Sequence, residues 1–371
     1  MTESAEQPSQ PALRVMHFVT GGFSGATQVA VDLCMADTDT TSLLVLRRKK
    51  NTSHHRLAAL QAQGVDVAVV PGWLNALTIF RLWQLCRQWK PDILVAHGFS
   101  EHLWGRYAGL LAGVPTLVHV EHNVRERYGH WRLWQSHWLA RHTACIVGVS
   151  QAVCADLVRT GHPPSRCTVI HNGIHTERWL HGLPWAERES ALVMPARFAR
   201  QKDHATLIQA LALLAQRGHT PKLYLAGTGK ERWRKAAEQL ADTLGLGSQV
   251  VFLGHCPDLP ALLARVKWCV LSTHYEGLGL GLIEGMASGC CAIGSDVEGV
   301  QEVIAHGQTG WLVPPGDPHA WAQALETAIT DDARSAQLAQ RGMHHAHAQF
   351  DRQRMCRDYL QLFKAISTRS Q

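Results

Sequence analysis

No uninterrupted apolar run in the 371-residue chain approaches the roughly 18–20 residues that a bilayer span needs. Its ten cysteines include no CxxC pair and no Cys/His run at zinc spacing. A chain of this length needs no disulfide staples, so the thiols read as small core fillers in a reducing compartment. The glycine fingerprint G-x-G-x-x-G is also missing, which removes a nicotinamide dehydrogenase. Residues 1–11 are polar, carry two acids and lack an apolar h-region, so the expectation is a protein made and kept in the cytoplasm. With 46% hydrophobic and 18% charged residues, the chain has ample core material, and collagen, coiled coil and bulk disorder are excluded.

What is present begins with charge. The net charge is +6, and residues 1–185 hold 17 Lys and Arg against 12 Asp and Glu, while the remainder holds 19 against 18. A basic first half suits an anionic partner: a membrane surface, a phosphorylated substrate or nucleic acid. No nucleic-acid motif accompanies the charge, so nucleic acid is not expected as a partner.

Short β-branched runs alternate with helix-sized segments along the whole chain. Strands are predicted at 13–19, 42–46, 65–70, 93–96, 116–120 and 145–149. The pattern then restarts at 191–195, 222–226, 250–253, 269–272, 291–294 and 310–313. Such alternation argues an α/β architecture of two doubly wound parallel sheets in consecutive Rossmann-like domains facing a central cleft. Residues 181–186, with glycine and proline, read as the linker, giving domains at 1–183 and 184–350. A last helix follows over 351–371. Ligands of such sheets sit at the carboxyl ends of the strands, so the loops there are where chemistry is expected.

The most informative of these loops spans 272–289. A strand ends near Ser272, a glycine-rich turn follows, and a helix begins near Leu280. Free N–H groups and the positive helix end make an anion site, and Gly277, Gly279 and Gly281 allow a phosphate to approach closely. Glu276 precedes the turn, and Glu284 lies on the helix beyond, suited to accept two sugar hydroxyls at once.

Glu276, seven residues and then Glu284, within a glycine-rich strand–loop–helix, resembles the hallmark of the family-4 retaining glycosyltransferases, which have the GT-B fold. The similarity runs from about Arg14 to Ile366. Arg197 and Lys202 resemble the family's Arg…Lys element, Gly227 and Gly229 its glycine turn, and Phe252 to Cys256 the loop that holds the nucleotide base. Asn172 and Gly173 resemble the segment before the interdomain crossing, where His175 replaces a more usual Asp. The final helix resembles the one that in GT-B proteins crosses back to the first domain. The resemblance implies a donor held by Glu284 on the ribose, Cys256 near the base, and Arg197, Lys202 and the Leu280–Gly281 backbone on the diphosphate. Two fixed cations and helix N–H groups would stabilise the leaving pyrophosphate without a metal, and no Asp-x-Asp motif follows a predicted strand.

In the first domain, Gly22 and Gly25 resemble the family's glycine loop under the donor phosphates. The family commonly places a histidine near the reacting centre at the end of the strand 116–120. The register leaves Glu121 and His119 as alternatives to His122, which fits best, and His97 is a further candidate on the acceptor side. Glu276 and His122 would fix the transferred sugar. Two stretches mix tryptophan with arginine, at 80–90 and 128–141. In the first, the aromatics are expected to face the core; in the second, core and bilayer interface are equally open readings.

The resemblance thus implies a retaining, metal-independent hexosyltransferase that moves a sugar from a UDP- or GDP-sugar to a carbohydrate or lipid-linked acceptor. Lipopolysaccharide or polysaccharide synthesis is the expected setting, with the protein cytoplasmic and peripheral on the inner face of an anionic membrane. A nucleotide-sugar epimerase, a sugar phosphorylase and a non-catalytic sugar-binding paralogue are the alternatives on the same fold.

Overall fold

The computed structural model describes residues 12–22, 24–36, 39–50, 52–124, 128–179 and 182–368. The polar segment 1–11, Phe23 of the first glycine loop and His181 of the linker reading lie outside the described residues. The chain divides into two compact units. Unit 1 comprises Met1–Gly148, Leu157–Ile170 and Cys356–Gln371, and unit 2 comprises Val149–Asp156 and His171–Met355.

Unit 1 is built on seven strands: β1 (Leu13–Thr20), β2 (Thr40–Arg47), β3 (Val67–Val70), β4 (Ile93–His97), β5 (Thr116–Glu121), β6 (Cys145–Gly148) and β7 (Cys167–Val169). Their order in the sheet is β3-β2-β1-β4-β5-β6-β7, and every neighbouring pair is parallel. Helices cover both faces, so β4 and β5 are buried along their whole lengths; β4 is an apolar run up to His97, and β5 carries His119 and Glu121 into the interior. Met16, Phe18, Leu94, Leu103 and Leu117 make the core on one face. Val19, Leu44 and Leu46 meet Ala30 on the other. The short β7 was not anticipated; three residues, all only partly buried, are too few to carry a pattern.

Unit 2 repeats the plan with β8 (Glu189–Pro195), β9 (Lys222–Ala226), β10 (Val250–Gly254), β11 (Val266–Leu271), β12 (Cys291–Ser295) and β13 (Gly310–Val313), ordered β10-β9-β8-β11-β12-β13 and parallel throughout. Leu192, Val193, Leu207, Trp268, Ile283 and Trp321 are fully enclosed in its core. The strand order reverses between β1 and β4 in unit 1 and between β8 and β11 in unit 2. Helices depart to opposite faces there, which opens a crevice at the strands' carboxyl ends.

The units divide at 170/171, ahead of the 183/184 boundary read from the sequence. The reason is packing: Ile174 and Trp179 are buried in the unit 2 core, and Asp351 bridges Ile174 and accepts the Thr176 hydroxyl at 2.6 Å. Val149–Asp156 also counts with unit 2, where Glu302 accepts the N–H groups of Gln151 and Ala152 at 2.7 and 2.8 Å. The final helix, Arg352–Ser367, counts with unit 1 from Cys356 onward. All ten cysteines are free thiols, and six of them are buried.

Candidate functional site

In unit 2 the loops after β8 and β11, the two strands flanking the order reversal, are laced together by their backbones. Asp203 N–H donates to Ser272 O at 3.0 Å, and His274 N–H donates to Gln201 O at 2.9 Å. The Ser272 and Thr273 hydroxyls add bonds to Asp203 O and Gln201 O at 2.6 and 2.9 Å. Lys202 and Thr273 consequently face each other as an antiparallel bridge, and Lys202 Nζ reaches the Glu276 carboxylate as an ion pair. Two residues taken from separate sequence motifs are thus in contact.

Gly279 caps the helix Leu280–Ala287 in the left-handed region, φ +81°, a conformation that a side chain would strain. No side chain caps this helix end. Its first turn approaches β8 so closely that a Cβ on Gly281 would lie 2.6 Å from Pro195 O. Gly227, after β9, has a similar reason: a Cβ there would meet Ala196 O at 2.2 Å. Both glycines therefore let backbone pass backbone, and they hold the crevice loops in place.

Glu284 sits one turn into that helix, half-buried, and its carboxylate has no hydrogen-bond partner among the described residues. Burial pushes it up to about 7, so it is poised between neutral and ionised near neutral pH. Arg197 is exposed and, among the described residues, bonds Gln201 Oε1 at 3.5 Å. Cys256 follows β10 as a partly buried thiol packed against the core.

In unit 1, Gly22 is partly buried and its N–H reaches Thr20 Oγ1 at 3.4 Å; Gly25 is exposed and begins the helix Gly25–Met35. The three candidates at the end of β5 separate by depth. His119 and Glu121 are buried inside the strand, whereas His122 lies beyond its end and is partly exposed. The His122 ring stacks on His97 at 5.7 Å, and His97 Nε2 lies 3.1 Å from His17 Nδ1. Burial lowers His122 to about 4 and His17 to about 3, and lowers His97 well below the usual histidine value, so all three are neutral at pH 7.

Beneath His122 lies a buried polar cluster that motif reading missed. His102, His119 and Glu121 bring ligand-type atoms within 4.8 Å of one another. Their arrangement does not converge on one cation. The His102 and His119 rings are stacked, 4.1 Å apart and 15° from parallel, so their in-plane lone pairs point side by side. The Arg106 guanidinium also occupies His102 Nδ1 at 2.6 Å, with further bonds to His102 O, Thr143 and Ser136. At the end of β2, Arg47 and Lys49 both pair with buried Glu101, at 3.4 and 3.0 Å. The only sequence signal for these groups was an unusual density of histidine and the basic run 47–50.

Of the tryptophan-rich stretches, the first packs Trp83 and Trp89 against the core and leaves Phe80 exposed. In the second, Trp131 and Trp134 are 67% and 55% exposed and stack 4.8 Å apart. No helix among the described residues is long and apolar enough to cross a membrane.

Two family models match the chain: Glycosyltransferase Family 4 over residues 52–178 and Glycosyl transferases group 1 over 176–345. Among curated proteins, a lipopolysaccharide core biosynthesis glycosyltransferase, LpsE of Rhizobium meliloti, is 34% identical over 45% of this chain and 47% of its own length. A glycogen synthase of Mycobacterium tuberculosis is 28% identical over 75% of this chain and 70% of its own. The chain spans about half the length of the curated relatives it matches first. In fold, HepE of Anabaena, solved in complex with UDP and glucose, superimposes with a TM-score of 0.85 at 20% identity, covering 95% of this chain and 100% of that one. A lipopolysaccharide outer core galactosyltransferase, WaaB, gives a TM-score of 0.75 at 16% identity, covering 95% and 100%. These neighbours share the GT-B architecture of two parallel sheets with interleaved helices.

Proposed function

Because the chain belongs to glycosyltransferase family 4, we propose that it transfers a sugar from a nucleotide diphosphate sugar to a carbohydrate or lipid-linked acceptor, with retention of configuration and without a metal. The observation that carries this reading is the junction of Lys202 with Glu276 beside the uncapped helix end that leads to Glu284. A cation for phosphate and a carboxylate for sugar hydroxyls meet at one point, as the bond between sugar and diphosphate requires. Glu284 lies one turn into that helix, at the ribose. Arg197 and Lys202 hold the diphosphate with the Leu280–Gly281 backbone, and Cys256 lies near the base.

In the proposed reaction the bond from the anomeric carbon to the diphosphate oxygen breaks, and the acceptor hydroxyl oxygen bonds to the same face of that carbon. The hydroxyl proton passes to the leaving phosphate, giving a glycoside and a nucleoside diphosphate. No protein nucleophile is assigned, and a two-carboxylate glycosidase scheme is not imposed on Glu276 and Glu284. The cations and helix N–H groups stabilise the charge that develops on the leaving group. His122 fixes the transferred sugar from unit 1, which takes the acceptor. HepE binds UDP and glucose, which favours a UDP-sugar here, and the lipopolysaccharide-related relatives favour a cell-surface glycan as product. The exposed Trp131–Trp134 pair on a basic unit suits peripheral attachment to an anionic membrane.

The test is a thermal-shift and hydrolysis screen with UDP- and GDP-sugars in chelator, on the wild type and Glu284→Ala. At a hundred times its dissociation constant, the matching nucleotide should stabilise the fold by about 2.7 kcal/mol. The variant should lose that shift. A folded wild type that responds to no nucleotide sugar would leave the sugar phosphorylase or non-catalytic readings in its place.

A further inference from the structure

The hydrogen bonds of the buried cluster in unit 1 converge on Glu121, which also accepts the backbone N–H of His122. Arg106, fully buried, has no acceptor on its guanidinium, so at 2.6 Å it donates to His102 Nδ1. That fixes the His102 proton on Nε2, which donates to Tyr128 Oη at 2.8 Å. The Tyr128 hydroxyl then donates to Glu121 Oε2 at 3.5 Å, and His119 Nε2 lies 3.5 Å from the same oxygen. The other oxygen, Oε1, accepts the backbone N–H of His122 at 2.9 Å and of Asn123 at 3.4 Å. Glu121 itself is only 2% exposed.

The strand ends at Glu121, so His122 and Asn123 have left the sheet's hydrogen-bond ladder. Their N–H groups would otherwise have to find solvent. A carboxylate rooted in the strand accepts both, and so sets the direction in which the chain, and the His122 ring with it, leaves the sheet. A glutamate kept from water is costly unless opposite charge and hydrogen bonds compensate it. Arg106 supplies that charge, and His102 and Tyr128 connect the two.

We propose that Glu121 is the positioning residue for His122, its carboxylate clamping the turn that aims the imidazole at the transferred sugar. The inference rests on the role given to His122 above. Glu121 touches no substrate and acts only through His122.

A double-mutant cycle on the full chain tests it, with metal-free hydrolysis of UDP-glucose as the readout and the UDP-induced thermal shift as the control for donor binding. His122→Ala should lower kcat about 100-fold and Glu121→Gln about 10-fold, with KM for UDP-glucose little changed and the UDP shift retained. The double variant should be no slower than His122→Ala alone, because the clamp has nothing left to aim. Multiplicative losses, or wild-type turnover in Glu121→Gln, would overturn the proposal. If Glu121→Gln does not fold, Glu121→Asp carries the same cycle: it keeps the charge but retracts the carboxylate by one methylene, and the same non-additivity is expected. A wild type that neither hydrolyses UDP-glucose nor binds UDP removes the role of His122 first, which a failure of the cycle in an active enzyme does not.

Discussion

The two units share a topology but build their crevices from opposite materials. In unit 2 the loops are shaped by backbone: β8 and β11 lead into segments bonded main chain to main chain, and Gly227 and Gly281 let strands and helix pass within touching distance. The side chains proposed for the chemistry there, Lys202, Glu276 and Glu284, are few and each is partly buried. In unit 1 the loop after β5 is held instead by buried polar side chains, drawn from β5, two helices and the turn near Tyr128. The lesson is that one fold can support a site either by close backbone approach or by an internal charge network. The two supports should fail under different insults.

Acid should separate them most strongly. His17, His97, His102, His119 and His122 in unit 1 are all held below the ordinary histidine value of about 6.5, chiefly by burial. Each is neutral when folded and takes a proton once unfolded, so its stabilisation is complete above about 6.5 and is lost as the pH falls toward 4, by about 1.4 kcal/mol per pH unit per ring. Unit 2 has His204 and His345 shifted in the same direction. It also has Glu284, raised from 4.5 to about 7, whose contribution is present at low pH and fades as the pH rises through that window. Hydrogen exchange between pH 7 and pH 4 should show unit 1 amides losing protection first. Simultaneous loss in both units would erase the contrast.

A smaller effect is expected from Arg106→Met, which removes the buried cation and leaves His102, Ser136 and Glu121 without its charge. Denaturant titration should register a loss of about 3–5 kcal/mol. A loss under 1 kcal/mol would mean that the network is not what holds the β5 loop. The mildest test addresses unit 2. Gly227→Ala sets a methyl against the Ala196 carbonyl, in the loop that carries Arg197, and should cost about 1–3 kcal/mol. UDP affinity should fall with it, as isothermal titration can measure. Unchanged affinity would show that the loop has slack.

Legibility from sequence follows the same divide. The alternation of strands and helices announced both sheets, because buried parallel strands are continuous apolar runs. The unit 2 loop was readable because glycines and acids fall within one short stretch, from Glu276 to Glu284. The ion pair of Lys202 with Glu276 was not, since it joins residues 74 apart. Arg106, His102 and Tyr128 were invisible for a like reason: each is an unremarkable residue on a helix or turn, and only folding brings them to Glu121. The 170/171 division escaped notice because Ile174 and Trp179 belong to the unit 2 core without belonging to any strand.

Unit 1 is discontinuous in the chain, and its last segment begins at Cys356. Phe363 from that segment packs 6.2 Å from His17 on the first strand, and Lys364 pairs with Asp39 at 2.8 Å. During synthesis, therefore, the half of the protein that is started first is finished last. Unit 2, whose last segment ends at Met355, needs nothing of the chain beyond that residue to complete its core. The histidine-rich unit must wait, with β1 uncovered on that side, until the final helix has emerged.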